Sequence, residues 1–412
     1  MEADHHHTPP KPATAPQNLP RFRADGQRHV FLLTSISLLA LVSGYIGVRL
    51  LPALALDAPQ RAAGVLLVCL PLLLAPATIF ARRMRRRWLA RAWAWAGSLA
   101  LGWVSFLLLL TVLREPVVLL GALAWPAGAA SLREGSAQGV VLLAALAVLL
   151  GLFMVLRVPR VVEILIPLPD LPADLEGFTI VQISDLHVSY TVRRRYVERV
   201  VRRVNALAAD LVAITGDLVD GSVADLASEV APLSQLLSRH GTWFVTGNHE
   251  YYSGASAWIA QLRHLGMHVL LNEHAVIRHG TAAFVLAGVT DTQAEAFEAG
   301  QRSDPQAALR GAPPQVRPRI LLAHRPRSAQ AAAAAGYDLQ LSGHTHGGQF
   351  WPWNLVVRYR EPLALGLDRW QGLWVYTSRG TGYWGPPQRL GVPAEITRLR
   401  LTRQGRAESG AQ

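Results

Sequence analysis

Residues 178–187 of this 412-residue chain read FTIVQISDLH, an apolar run that ends in an aspartate and a histidine. Within residues 192–207, four valines then recur at helical spacing, and arginines occupy the opposite face. A buried strand followed by an amphipathic helix is the unit from which layered α/β folds are built. This stretch therefore predicts the fold class of the C-terminal half.

The same alternation of an apolar run and a helical stretch continues along the chain. The predicted strand and helix pairs are 211–215 with a helix from about 224, 242–246 with 255–265, and 320–323 with 328–335. Prolines in residues 165–177 predict a stiff connector ahead of the first strand. We expect residues 159–402 to form one layered α/β domain, followed by a polar tail at 403–412.

Residue types that bind metals come directly after these predicted strands. They are Asp185-Leu186-His187, Gly216-Asp217-Leu218-Val219-Asp220, Gly247-Asn248-His249-Glu250, His324 and Gly343-His344-Thr345-His346. Two divalent cations roughly 3.5 to 4 Å apart need a bridging carboxylate together with nitrogen and oxygen ligands. Glycine before Asp217, Asn248 and His344 is expected to let the backbone turn sharply where each strand ends. The pattern predicts a site for two metals, and a single cysteine in the whole chain excludes a cysteine-rich zinc site.

The order Asp-x-His, Gly-Asp-x-x-Asp, Gly-Asn-His-Glu, a lone His and Gly-His-x-His resembles the calcineurin-like metallophosphoesterase superfamily. The segments GNHEY (247–251), GHTHGGQ (343–349), SRG (378–380), RLG (389–391) and PAEI (393–396) are similar to its membrane-anchored YkuE/YaeI-like branch. The resemblance covers roughly residues 160–402 and implies a four-layer αββα sandwich.

The resemblance also implies a role for each matching residue. The implied ligands are Asp185, His187 and His346 for one metal, Asn248, His324 and His344 for the other, and Asp217 as the bridge. His249 is implied to stabilise charge on the phosphate or to protonate the leaving oxygen, and Asp220 to orient its ring. The implied nucleophile is a metal-bridging hydroxide that attacks phosphorus in line. Mn²⁺ is favoured because the ligands are oxygen and nitrogen without thiolate, and Fe, Zn²⁺ and Mg²⁺ are also compatible.

The N-terminal half has a different composition. After a polar tail at 1–29, a membrane region is expected at 30–158, with spans at about 30–50, 63–81, 92–113 and 139–156. Each is close to the twenty apolar residues that a helix needs to cross the hydrocarbon layer. The apolar segment 117–125 is too short to cross alone, and Pro116 is expected to separate it from the third span. We expect an all-α bundle of about four transmembrane helices, with this segment re-entrant, interfacial or a fifth span.

Six arginines between residues 82 and 91 lie in the short loop that joins the second and third spans. The positive-inside rule predicts that this loop is cytoplasmic. With four spans, both termini and the catalytic domain are then cytoplasmic. The sequence therefore predicts a multi-pass protein of the cell (inner) membrane.

Partners follow from charge and from the aromatic residues near the motifs. The net charge of +12 comes almost entirely from arginine, and alanine is abundant as well. This joint usage is typical of a GC-rich genome, so we expect no nucleic acid partner from the charge. Arg193, Arg194 and Arg195 either hold substrate phosphates or form a solvated helix face. Trp351 and Trp384 either bind a lipid-like substrate at the rim of the site or fill the core. Membrane lipids and a phosphate-containing substrate are the expected partners, a lipid-linked substrate is one alternative, and the oligomeric state stays open.

The predicted function is hydrolysis of phosphodiester, phosphomonoester or pyrophosphate bonds by a membrane-anchored enzyme. Two alternatives remain open from the sequence. In the first, the same site belongs to a protein phosphatase or a cyclic-nucleotide phosphodiesterase, although enzymes with soluble substrates do not require four spans. In the second, the spans form a transporter or receptor and the domain is a regulatory module, although a transport path usually needs polar residues inside the membrane.

Overall fold

The computed structural model describes residues 21–81, 84 and 86–403. Predictions that concern residues 1–20, Arg82, Arg83, Arg85 and the tail after 403 lie outside the described residues. The α-helices are α1 (Arg21–Leu50), α2 (Ala58–Ala81), α3 (Arg87–Ala124), α4 (Ala129–Leu156), α5 (Arg194–Asn205), α6 (Val223–Val230), α7 (Asn248–Ser253), α8 (Ala255–His264), α9 (Pro305–Ala308), α10 (Ala329–Ala335) and α11 (Trp353–Arg360). The strands are β1 (Arg160–Pro167), β2 (Thr179–Ile183), β3 (Leu211–Ile214), β4 (Thr242–Phe244), β5 (His268–Val269), β6 (Glu273–His279), β7 (Ala282–Gly288), β8 (Arg319–Leu322), β9 (Leu339–Ser342), β10 (Gly366–Trp370), β11 (Leu373–Thr377) and β12 (Glu395–Thr402).

The first four helices form an N-terminal bundle. Within the described residues, four stretches are long and apolar enough to span a membrane: Leu33–Ala53, Ala58–Pro76, Arg87–Ala124 and Pro126–Leu156. Each helix is longer than the span predicted for it, and α1 already begins at Arg21, inside the segment predicted as a polar tail. Apolar length marks only the part of a helix that lies in hydrocarbon, and the helix itself continues wherever its backbone hydrogen bonds can be made.

The prediction that Pro116 ends the third helix is wrong, because α3 continues through it to Ala124. A proline removes one backbone hydrogen bond, and packed neighbours allow a helix between hydrophobic partners to tolerate that loss. The two polar residues before the proline have partners on other helices. Arg114 donates to Oγ of Ser136 at 2.9 Å, and Glu115 pairs with Arg49. The apolar segment after the proline is therefore the last part of α3.

The remaining strands form two six-stranded sheets. The first has the order β1-β12-β2-β3-β4-β5, and the second has the order β10-β11-β9-β8-β7-β6. The central neighbours β2, β3 and β4 are parallel, as are β7, β8, β9 and β11. Antiparallel pairs occur at β12 with β2, β10 with β11 and β6 with β7. The carboxyl ends of parallel strands meet along one edge of each sheet, where loops can assemble a site.

Three hydrophobic clusters define four layers in this domain. Residues from both sheets, among them Ile180, Leu211, Phe284 and Leu339, are buried together between the sheets. A second cluster packs α5, α6 and α8 on the outer face of the first sheet, and a third packs α9 and α10 on the outer face of the second. The predicted αββα sandwich is confirmed.

The strands and helices predicted beside the motifs agree with the structure to within a few residues. The prediction of a connector over 165–177 is wrong at its start, because β1 extends to Pro167. β1 pairs in parallel with β12, from Arg160 with Glu395 to Pro167 with Thr402. That pairing joins chain segments far apart in sequence, so no local pattern announces it.

The bundle packs directly against the domain through the segment between β11 and β12, residues 378–394, which we call the closing loop. Gln388 of this loop lies between α3 and α4, where its amide donates to the carbonyl of Val148 at 3.2 Å. An added Cβ on Gly151 would lie 1.7 Å from the Gln388 side-chain oxygen, so only glycine leaves room for it. Phe350 of the domain also stacks on Phe106 of α3, with ring centroids 5.5 Å apart. The four helices are therefore part of the same packed structure as the domain.

Candidate metal centre

The two sheets together bring all the predicted ligands to one place. The loops after β2, β3 and β4 of the first sheet carry Asp185, His187, Asp217 and Asn248, and the loops after β8 and β9 of the second carry His324, His344 and His346. Side-chain atoms of Asp185, His187 and His346 lie within 4.8 Å of one another, as do those of Asp217, His324 and His344. These six residues were separate motifs in the sequence and form two neighbouring groups in the fold. Asn248 lies next to them along the chain, since the N–H of the following residue, His249, donates to Oδ1 of Asp217 at 2.9 Å.

One half of the cluster surrounds His187. Its Nε2 lies 3.1 Å from Nε2 of His346 and 3.9 Å from Oδ2 of Asp217. Nε2 of His346 in turn lies 3.5 Å from Oδ1 of Asp185. Ligand atoms from three loops thus face a common point, with the Asp217 carboxylate on its border.

The other half contains three buried ligand atoms that have no hydrogen-bond partner among the described residues: Oδ1 of Asn248, Nε2 of His324 and Nδ1 of His344. Nε2 of His324 lies 3.1 Å from Oδ2 of Asp217. Buried polar atoms are normally paired, since an unpaired one costs about 1 to 3 kcal/mol. A cation would satisfy all three atoms. The residues therefore fit a second metal beside the first, with Asp217 on the border of both halves.

Backbone conformation at the site is unusual. Five of the seven predicted ligands have positive φ, namely Asp185 (53°), His187 (49°), Asp217 (51°), His344 (70°) and His346 (52°). Non-glycine residues rarely adopt this region, and such strain accumulates where function requires it. Each side chain is thus turned by its own backbone, directly after a strand.

Hydrogen bonds orient two of the histidine rings. Nδ1 of His324 lies 2.8 Å from the carbonyl of Thr215, and Nδ1 of His187 lies 3.2 Å from Oδ2 of Asp220. A ring that donates from Nδ1 presents an unprotonated Nε2, the form that binds a metal. Asp220 therefore supports a predicted ligand as well as the residue for which it was predicted.

His249 lies beside the cluster. Its Nδ1 is 2.5 Å from Oδ1 of Asp220, and its Nε2 is 3.9 Å from Oδ2 of Asp217. Burial alone lowers the pKa of His249, but the hydrogen bond and charge of Asp220 outweigh burial and raise the pKa to about 9. A ring held with its proton next to the metal centre can donate that proton or stabilise an anion.

Electrostatics act in opposite directions on the ligand rings. Burial alone lowers the pKa of His324, but the charge of Asp217 outweighs burial and raises the pKa to about 10. Burial lowers the pKa of His344 to about 2, and nearby positive charge adds to the effect. Burial and the guanidinium of Arg389, 3.0 Å from Nδ1 of His346, lower the pKa of His346 well below its ordinary value. Neutral imidazole is the form that binds metals.

Arg389 is a residue whose role the sequence did not indicate. It is fully buried, and it donates to the carbonyls of Arg379 and Gly382 while it contacts His346. Its only signal in the sequence was membership of the RLG segment. Arg389 connects the closing loop to a predicted metal ligand.

The sequence left the role of Glu250 open. Its buried carboxylate accepts backbone N–H bonds from Asp217, Leu218 and Gly247 at 3.0, 2.7 and 2.6 Å. Burial, followed by the charge of Asp217, raises the pKa of Glu250 to about 8. Glu250 therefore connects the loops after β3 and β4. Its carboxylate oxygens are used by these hydrogen bonds, which argues against a role as a metal ligand.

The glycines that precede the ligands serve two purposes. Gly216 has φ of 87°, as the predicted sharp turn requires. Gly247 has φ of −99°, and an added Cβ would lie 2.2 Å from Oδ1 of Asp217. At Gly343 an added Cβ would lie 2.2 Å from Oδ2 of Asp185. Gly247 and Gly343 need no positive φ, and there glycine leaves space for a ligand carboxylate.

The predicted substrate arginines have partners at the start of α5. Arg193 pairs with Glu229 at 2.9 Å, and the Arg194 guanidinium donates to Glu198 at 2.8 Å. Arg195 is exposed. Because Glu229 of α6 pairs with Arg193, we interpret the three arginines as part of a helix face and not as a group that binds substrate phosphates.

The aromatic residues near the site divide into two groups. Phe350 and Tyr383 are buried, as the core interpretation expected, whereas Trp351, Trp353 and Trp384 are 40, 42 and 55% exposed. The ring of Trp384 lies 5.5 Å from that of His249, at a steep angle. Trp384 therefore forms a wall of the site.

Comparison with known proteins agrees with this geometry. The profile of the calcineurin-like phosphoesterase family matches residues 178–348. A Bos taurus transmembrane protein with metallophosphoesterase domain is 41% identical over 297 residues, which cover 68% of this chain and 67% of that protein. An uncharacterized metallophosphoesterase of Aquifex aeolicus is 32% identical over 264 residues, 63% of this chain and 99% of its own. The metallophosphoesterase YkuE of Bacillus subtilis is 28% identical over 240 residues, 56% of this chain and 81% of its own.

The match covers about two thirds of the Bos taurus chain, and nothing in the rest of that protein bears on this one. Within the matched region, the profile, the relatives and the clustered ligands agree. This chain belongs to the calcineurin-like metallophosphoesterase family, the metal-dependent hydrolases of phosphoric esters.

Proposed function

We propose that the chain is a membrane-embedded phosphoesterase that uses two divalent cations. Asp185, His187 and His346 would hold one cation, Asn248, His324 and His344 would hold the other, and Asp217 would be a ligand to both. The observation that carries this proposal is the set of three buried ligand atoms without a hydrogen-bond partner, on Asn248, His324 and His344. Without cations, each would carry the cost of an unsatisfied buried group.

Two bound cations supply Lewis-acid stabilisation of charge on the phosphate and lower the pKa of water. The protein supplies the rest of the chemistry. Asp220 orients His249, whose Nε2 faces the Asp217 carboxylate at 3.9 Å and donates a proton to the leaving oxygen. Mn²⁺ is the favoured metal, since the ligands are carboxylate, amide and imidazole.

Metal loading and turnover test these roles together. The detergent-purified chain is stripped of metal, reloaded with Mn²⁺ and assayed on a small chromogenic phosphodiester. Asn248→Ala and His324→Ala should lose bound metal and turnover, whereas His264→Ala, at an exposed position on α8, should keep both. His249→Ala should retain metal and lose roughly 10²-fold or more in rate. Equal metal loss in His249→Ala would make His249 a ligand and contradict the proposed role.

We also propose that the chain lies in the cell membrane with both termini and the domain of residues 159–402 in the cytoplasm. An even number of helices and the arginine-rich loop between α2 and α3 support this orientation. Alkaline phosphatase and a fluorescent protein that folds only in the cytoplasm are fused separately at Gln412. Fluorescence without phosphatase activity is expected, and the reverse would refute the orientation.

A further inference from the structure

A cavity of about 690 Å³ lies between the helical bundle and the phosphoesterase domain. Half of its lining residues come from α1 and α3, among them the apolar residues Ile36, Leu39, Leu101, Val104 and Leu108. The domain closes the cavity with Asp220 and with Trp353, Trp384 and Pro386. Its volume is in the range of pockets that hold small molecules.

Polar residues of the domain line part of this cavity. They include Ser189, Thr191 and Asp220, and Asp220 is the residue that holds His249 beside the metal centre. Trp384 lines the cavity and also contacts the His249 ring at 5.5 Å. A single ligand can therefore place a phosphate near His249 and an apolar group among the helices.

The lining extends along α3. Ala94 and Leu108 both line the cavity and are separated by about 21 Å along the helix axis, at ~1.5 Å per residue. The hydrocarbon core of a bilayer is about 30 Å thick, so each leaflet contributes about 15 Å. The lining along α3 is therefore long enough for the part of a lipid chain that lies in one leaflet.

Resting on the proposed function, we propose that this cavity binds the hydrocarbon chain of a membrane lipid whose phosphate ester lies at the metal centre. A soluble phosphate ester would leave the apolar wall of the cavity in contact with water. A lipid chain would cover that apolar wall, and the cavity lies among helices where lipid chains are present. The substrate class is therefore an amphiphile with a phosphate ester head. On this view α1 and α3 are substrate-binding elements as well as an anchor.

The test uses alkyl p-nitrophenyl phosphodiesters with methyl, butyl and hexyl groups and the full chain in detergent. Each buried methylene is worth about 4-fold in binding. We expect kcat/KM to rise at least 10-fold from the methyl to the hexyl ester, which requires only partial burial. Leu101→Trp fills the cavity and should reduce the hexyl-to-methyl ratio at least 5-fold. Leu142→Trp, on the exposed face of α4, should leave the ratio unchanged. Partitioning of the ester into detergent is the same for every variant and cancels in this comparison.

Ser98→Leu is a second variant that fills the cavity. If one of the two variants is misfolded, which a lower Tm would reveal, the other variant still tests the proposal. A hexylphosphonate with a diazirine at its chain end gives a readout that needs no turnover. We expect the probe to label peptides of α1 and α3. The Leu101→Trp variant, in which the cavity is filled, should be labelled less. An unchanged hexyl-to-methyl ratio in both filling variants, or labelling confined to other helices, would overturn the proposal. Labelling of α1 and α3 with no hydrolysis of any ester would support the chain site and refute the proposed function.

Discussion

Gly343→Ala should weaken metal binding strongly and lower the stability of the fold only modestly. Gly343 follows β9 and precedes the predicted ligand His344. An added Cβ would lie 1.9 Å from Oγ of Ser184 and 2.2 Å from Oδ2 of Asp185. Its φ is not among the positive values, so the backbone itself accommodates alanine. The whole effect of this substitution therefore comes from space.

The displacement can be worked out from these distances. Ordinary contact begins at 3.4 Å, so Oδ2 of Asp185 must move by about 1.2 Å, which is 3.4 minus 2.2. Metal–ligand distances tolerate about 0.2 Å. We therefore expect the Mn²⁺ affinity to fall by roughly 100-fold or more, since even loss of a supporting partner costs about 10- to 100-fold. Overpacking should also lower the free energy of unfolding by about 1 to 3 kcal/mol.

The assay is calorimetric titration of the metal-stripped protein with Mn²⁺, together with thermal unfolding. Ser184→Ala combined with Gly343→Ala is the matched control, because it removes the 1.9 Å contact and retains the contact with Asp185. The double variant should recover part of the stability and none of the metal affinity. Wild-type Mn²⁺ affinity in Gly343→Ala would refute the reasoning, because Asp185 would then not be a ligand in the observed position.

Asp220→Asn should reduce kcat about 10²-fold or more, measured on a small phosphodiester, because one carboxylate orients both His187 and His249; an unchanged kcat would contradict that. Glu250→Gln should lower the free energy of unfolding by about 1 to 3 kcal/mol in chemical denaturation above pH 8, where Glu250 is ionised, since an amide cannot accept all the backbone N–H bonds that the carboxylate accepts. Gln388→Ala should destabilise the chain by about 1 to 3 kcal/mol, because it removes the side chain packed between α3 and α4; an unchanged Tm would mean that the bundle and the domain unfold independently. Chelation of the metals should lower the free energy of unfolding by about 2.7 kcal/mol for each site, relative to protein in Mn²⁺ at 100 times the Kd of that site, and a Tm that does not depend on Mn²⁺ concentration would argue against a metal site.

Local patterns account for the predictions that agreed with the structure. An apolar run such as that before Asp185 is itself a strand, and the valine stripe that follows is itself the buried face of α5. Ligand residue types at strand ends converge because parallel strands end at a common edge. Nothing local signals the β1–β12 pair or the burial of Arg389, since both depend on segments that meet only after folding.

The sequence by itself determined the four helices that are apolar enough to span a membrane, the α/β class and the candidate ligands, because hydropathy, side-chain period and motif order are properties of short segments. Only the tertiary structure decided that α3 continues through Pro116, that Gly343 is required for space, and that the closing loop inserts Gln388 between α3 and α4. It alone also placed Trp384 beside His249 at the end of an apolar cavity. The physical reason is that packing depends on which distant surfaces come into contact, and pairwise distances between such surfaces are not encoded in any single segment.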